Sequence, residues 1–367
     1  ALVLDQDLII NTAASSGDIN LSGLAIDGAF ALNLTSGFGN ISLGDIGLIT
    51  PIASIATDTA GIINLHGNII NTDLTFDFSS ASSILLNDNI TLGSNELHLT
   101  SADFGNNTID GNYDLTLYTN SLSWGAIGQD IALQNINIYS SDLALSITED
   151  INLAGNFNLE VASLLLSSKV ITTGGSISVD TTSNISMSAN SQFSSANGDI
   201  TLLSQAGNIN LGLLEAQNQI NVTALTGTIT NAINDFKSID DTSINIDGRL
   251  ISLISGGTIG SSAANPIVIK AGTGKIELSA GGKIYIANID NSAISSNKVF
   301  LDNAAQSLVA TNDSLHQLNR FNFQPISLEY QDVLDPSWQK EKDEESAFTT
   351  SPRIYYSKKG WRLGNPL

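Results

Sequence analysis

Gly198-Asp199-Ile200-Thr201-Leu202-Leu203-Ser204-Gln205-Ala206-Gly207-Asn208-Ile209-Asn210-Leu211-Gly212 states one short phrase twice: a Gly, a small polar residue, then apolar, polar, apolar. The alternation predicts a short strand with one buried face, and the Gly predicts a corner before it. Outward from this stretch the phrase recurs along most of the chain. Gly17-Asp18-Ile19-Asn20-Leu21, Gly39-Asn40-Ile41-Ser42-Leu43 and Gly61-Ile62-Ile63-Asn64-Leu65 start 22 residues apart each time. A fixed period of that size is the signature of a repeat architecture. Between the copies lie further alternations, such as Phe30, Leu32 and Leu34, then Leu74, Phe76 and Phe78. Each period therefore holds two or three short strands, which is one coil of a β-helix.

The pattern continues through Asn89–Leu92, Glu96–Leu99, Asp114–Leu117, Asp130–Leu133 and Asp150–Leu153. Residues 154–170, with Leu164-Leu165-Leu166, are more continuously apolar and read as a strand covered on both faces or as a contact patch. Gly175-Ser176-Ile177-Ser178-Val179 restores the phrase, and later copies begin at Gly227, Gly257, Gly274 and Gly282. The expectation is an all-β chain: residues 1–312 form a right-handed parallel β-helix (β-solenoid) of roughly thirteen coils, followed by a non-repetitive C-terminal tail. At about 4.8 Å per coil the solenoid would be on the order of 60 Å long. An isolated coil cannot bury its apolar face, so stability belongs to the stack.

Composition agrees. Charged residues are only 14% of the chain, and Asn, Asp, Ser, Thr and Gly take their place, a mixture that favours strands and turns over helices. Regular Ile, Leu and Val set it apart from a disordered chain. There is no Cys, so packing and backbone ladders must hold the fold. No run of 18 apolar residues reads as a transmembrane segment. The first residue is Ala1, consistent with removal of a signal peptide or with a piece of a longer protein, and secretion is the expectation. The net charge of −22 argues against nucleic acid and anionic lipid as partners. Its distribution is uneven. Residues 1–168 contain no Lys or Arg, whereas seven of the fourteen basic residues follow residue 312.

From residue 313 the phrase is absent, and prolines and aromatics rise. Residues 313–338 are expected to cap the last coil, and 339–350, with Lys340-Glu341-Lys342-Asp343-Glu344-Glu345, to form a charged linker. Residues 351–367 carry Arg353, Lys358, Lys359 and Arg362, no acidic residue, and the aromatics Tyr355, Tyr356 and Trp361. These seven residues are the candidate inter-subunit docking set. An acidic front and a basic, aromatic terminus are complementary between copies, and a heterologous contact that does not close generates a filament. The bland alternative is that the whole tail is a terminal cap.

The Gly-Asp/Asn-Ile-x-Leu phrase, together with Gly257-Thr258-Ile259-Gly260-Ser261-Ser262-Ala263-Ala264-Asn265-Pro266-Ile267, resembles the β-helix shafts of filamentous-haemagglutinin-like bacterial exoproteins over about residues 15–300. That resemblance implies a large secreted surface adhesin. The secretion motifs Asn-Pro-Asn-Leu and Asn-Pro-Asn-Gly of that family do not occur near the start.

Candidate chemistry is sparse. The carboxylates are scattered at turns, without the paired acid and base of a polysaccharide-degrading β-helix, and no enzyme activity and no cofactor are expected. Calcium-binding nonapeptides and EF-hand loops are absent; Asp240-Asp241 and Glu149-Asp150 could offer weak, adventitious calcium sites at most. His66, His98 and His316 are far apart and read as surface histidines rather than zinc ligands. Asn33, Asn40, Asn89, Asn184 and Asn221 match a glycosylation triplet that this composition generates by chance. A regular Thr-x-Thr in every coil, as ice binding would need, is missing. The expected partner is a second copy of the chain, head to tail, with host or matrix glycans as the alternative.

Overall fold

The computed structural model describes residues 1–70, 76–233, 244–262, 265–272 and 274–288, together with the backbone of strands Ala293–Ile294, Leu308–Ala310, Arg353–Ser357 and Gly360–Gly364. The chain divides into two compact units, Ala1–Leu318 and Asn319–Leu367. The first is a parallel β-solenoid without a helix among the described residues.

Its regularity is clearest in two columns of inward side chains. One climbs through Ile19, Ile41, Ile63, Ile84, Ile109, Ile127, Ile151, Val170, Phe193, Leu214, Ile246, Ile269 and Asn288, each paired in parallel with the next. The other climbs through Leu2, Ile26, Ile46, Ile69, Leu92, Leu117, Ile138, Leu159, Val179, Leu202, Val222, Leu253 and Leu278. Twelve turns therefore separate the first and last rungs, spanning on the order of 60 Å. Nearly all of these side chains are fully buried. Burying one Ile or Leu contributes about 1.5–3 kcal/mol, so the columns are the main source of cohesion.

The phrase gains a physical meaning here. Its glycines stack on one another along the axis. A Cβ on Gly39 would lie 2.6 Å from the Gly17 carbonyl oxygen, and one on Gly198 would overlap the Gly175 carbonyl. Neither glycine has a positive φ, so the corner needs Gly for close approach between coils rather than for backbone freedom. The Asp or Asn that follows is a ladder device. Asp18 Oδ1 accepts the Asn40 N–H (2.7 Å), and Asn40 Oδ1 accepts the Ile62 N–H (2.9 Å). The same link joins Asn135 to Asn156 (2.7 Å), Asn156 to Ser176 (2.9 Å), and Asn184 to Asn208 to Thr228 (2.8 and 2.9 Å). Buried hydroxyls complete the corners: Thr172 and Ser195 both donate to the Gly175 carbonyl at 2.8 Å.

Several local expectations are corrected. Residues 96–99 and 130–133 are not strands; only Leu99 and Leu133 make single bridges, and Ile131 is exposed. The Leu164-Leu165-Leu166 run is an ordinary alternation within Phe157–Leu166, with Leu164 and Leu166 buried and Leu165 facing solvent. The longest step, from Leu214 to Ile246, contains residues 234–243, which lie outside the described residues. Its base is held by a buried amide network. Asn245 Nδ2 donates to Asn231 Oδ1 and to the Leu211 carbonyl, both at 2.9 Å, and Asn231 Nδ2 donates to the Pro266 carbonyl at 2.8 Å.

Candidate interaction surfaces

The terminal segment forms a two-stranded antiparallel ribbon, Arg353–Ser357 with Gly360–Gly364. The register sets Ile354 opposite Leu363, Tyr355 opposite Arg362 and Tyr356 opposite Trp361. Because successive strand positions alternate between faces, positions 354, 356, 361 and 363 share one face of the ribbon, and 353, 355 and 362 the other. Five members of the candidate docking set, Arg353, Tyr355, Tyr356, Trp361 and Arg362, thus come together in one hairpin. Lys358 and Lys359 lie outside the described residues, as do the expected cap 313–338 and linker 339–350.

The carboxylates of the first half are spent largely on backbone. Asp27 Oδ1 accepts the N–H groups of Ile49 (2.8 Å) and Thr50 (3.2 Å), and Asp110 Oδ1 those of Asp130 (3.0 Å) and Ile131 (3.2 Å). Asp150 Oδ1 accepts the Lys169 N–H at 2.9 Å. Among the described residues no three His, Asp or Glu side chains group as metal ligands would. Asp240, Asp241 and His316 lie outside the described residues, and His66 is exposed.

One surface feature escaped the sequence reading. On successive coils of the outer face Tyr118 and Tyr139 stack with ring centroids 5.2 Å apart, and His98 lies tilted against Tyr118 at 5.8 Å. Burial within the stack, then the neighbouring Tyr118 and Glu160, raise the Tyr139 phenol above its ordinary value of 10.0. The 21-residue spacing of Tyr118 and Tyr139 was the available signal: it is one coil. Beside this stack runs a column of amides and hydroxyls, where Asn158 Nδ2 donates to Asn137 Oδ1 at 2.8 Å and Asn137 faces Thr116.

No family model, curated protein or solved structure matches the chain. The parallel solenoid is compatible with a shaft of the haemagglutinin type, and that likeness stops at the fold.

Proposed function

We propose that the chain is a non-catalytic, secreted structural protein of a bacterial surface, a shaft that assembles head to tail into an extracellular fibre or serves in adhesion. The observation that carries this reading is the thirteen-rung parallel ladder among the described residues, taken together with a sequence that is acidic in its first 168 residues and basic in its last 17. The ladder encodes length: inward positions pack, corner positions hydrogen-bond to the next coil, and its side chains are thereby committed to stacking. The first 168 residues carry 18 acidic residues and no Lys or Arg, whereas the last 17 carry four basic residues and no acidic one. Deletion of residues 351–367 should leave the solenoid folded, with unchanged circular dichroism, while abolishing sedimentable polymer. Equal polymerisation of the truncated chain would reduce the tail to a cap.

A second reading is favoured by the outer face. Tyr118 and Tyr139 beside Asn137 and Asn158 offer aromatic edges and paired amides in a straight row, the groups with which a protein meets a neutral glycan. Here the chain acts as a monomeric adhesin module. Glycan-array binding that persists without polymer, and that falls on Asn137→Ala, would support it over the fibre.

A further inference from the structure

The outer face between the coils of Tyr118 and Asp180 is an unpartnered sheet surface of uneven chemistry. One outward column runs Tyr118, Tyr139, Glu160, Asp180, each residue paired in parallel with the next. Tyr118 covers one face of the Tyr139 ring, with centroids 5.2 Å and planes 25° apart, so the other face turns toward the rung of Glu160. Glu160 is exposed and Asp180 half-buried, on rungs about 4.8 Å apart. The Tyr139 phenol registers this neighbourhood: burial first, then Tyr118 and Glu160, hold it above its ordinary value. Asp180 Oδ1 is positioned by a neutral donor, Gln205 Nε2, at 2.9 Å. Residues 1–168 contain no Lys or Arg, and the ion pairs among the described residues, Lys270–Asp247 and Lys275–Glu277, lie on later coils. An aromatic face beside two carboxylates, with no cation supplied by this part of the chain, is the complement of an ammonium group.

The rest of the face decides what carries the ammonium. The backbone N–H and C=O groups of these strands point along the axis into the ladder, so a peptide laid across them finds no main-chain partner. The neighbouring outward column offers amides and hydroxyls instead. Asn137, Asn158 and Ser178 are half-exposed on successive rungs, and Asn158 Nδ2 donates to Asn137 Oδ1 at 2.8 Å. Such a row of donors and acceptors suits the hydroxyls that a sugar chain carries along its length. We propose that this face binds an amine-bearing glycan, a polymer of amino sugars, with an ammonium seated between the Tyr139 ring and the Glu160 and Asp180 carboxylates and the hydroxyls on the Asn137–Asn158 row. This rests on the adhesin reading of the face and narrows its ligand from neutral glycans to cationic ones.

The test is calorimetric titration of the full-length chain with a short glucosamine oligomer, at a pH that protonates its amines, and with its N-acetylated counterpart of equal length, which carries no charge. The amine form should bind several-fold tighter at low salt, and the difference should shrink at high salt. Glu160→Gln and Asp180→Asn remove charge while keeping an acceptor oxygen at each position. Each should weaken the amine form several-fold and leave the acetylated form unchanged, with unaltered circular dichroism. Glu160→Lys should abolish the preference. Equal affinity for the two oligomers, indifferent to Glu160→Lys, would overturn the ammonium site and leave the glycan reading standing. Binding of neither oligomer would remove both. Oligolysine bound as tightly as the glucosamine oligomer, and lost on Glu160→Lys, would overturn the glycan in favour of a cationic peptide.

Discussion

The two halves of the solenoid build the same ladder by different means. Up to residue 123 the strands are short, none longer than the seven residues of Ala31–Gly37, and most fall into separate two-, five- and six-stranded sheets, with Ile90–Leu92 and Leu115–Tyr118 alone joining the large sheet. From residue 136 the chain runs in strands of ten and twelve residues, Ile136–Ile147, Phe157–Leu166, Leu213–Ala224 and Ile246–Ser255, which stay in one nineteen-stranded sheet as they turn corners. Bulges between Ser140 and Ala144 and between Ala216 and Gln219 make those corners possible. The first half instead breaks at glycines: among the described residues, seven of the nine with positive φ lie before residue 129. Gly47, Gly93 and Gly128 each follow a buried Ile or Leu and send the chain out into a loop. Regular extension thus needs two things together, the glycine stack and a corner the ladder can follow without interruption. Where the second is missing, stability comes from local packing, as in the cluster of Phe76, Phe78 and Phe104, whose rings lie 3.9–6.4 Å apart.

That contrast can be broken most forcefully in the core. Phe193→Ala and Phe104→Ala each remove a fully buried ring at a cost of about 3–5 kcal/mol. Phe193 sits in the continuous sheet, so its loss should lower one cooperative transition of that whole half. The Phe104 change should instead detach the first half as an earlier step in urea unfolding followed by hydrogen exchange. A single, equally shifted transition in both variants would contradict the division.

The glycine stack is the next target. Gly198→Ala sets a Cβ against the Gly175 carbonyl and should cost about 1–3 kcal/mol, because backbone on both coils must give way. Gly23→Ala meets nothing within 4 Å and serves as the control, expected within about 0.5 kcal/mol of the parent by thermal unfolding.

The smallest expected effect concerns the outer face at the seam between the halves. Tyr139 should be among the last tyrosines to ionise in a spectrophotometric titration, since burial and then Tyr118 and Glu160 favour its neutral form. A raised phenol means that the unfolded chain releases its proton first. The contribution to stability is therefore whole below pH 10.0 and is lost as pH rises through the folded value. Glu160→Gln should bring that titration down slightly.

The period was open to reading because it lives in residue types: Ile19, Ile41 and Ile63 are evenly spaced, and only an apolar column requires that. The purpose of the polar residue after each Gly was hidden, because Asp18 and Asn40 act on backbone N–H groups one coil away and no alternation reports this. Glu96–Leu99 and Asp130–Leu133 mimic the strand pattern yet form loops, since the positive-φ Gly93 and Gly128 upstream divert the chain first. The candidate docking residues were legible as composition, while their division between two ribbon faces depends on a register that only pairing reveals.

Electron microscopy of the negatively stained full-length chain tests the central claim most directly. The account predicts unbranched fibres in which each copy contributes a shaft on the order of 60 Å long, twelve turns of about 4.8 Å. Single short rods of that length, persisting at high protein concentration and low salt, would contradict it.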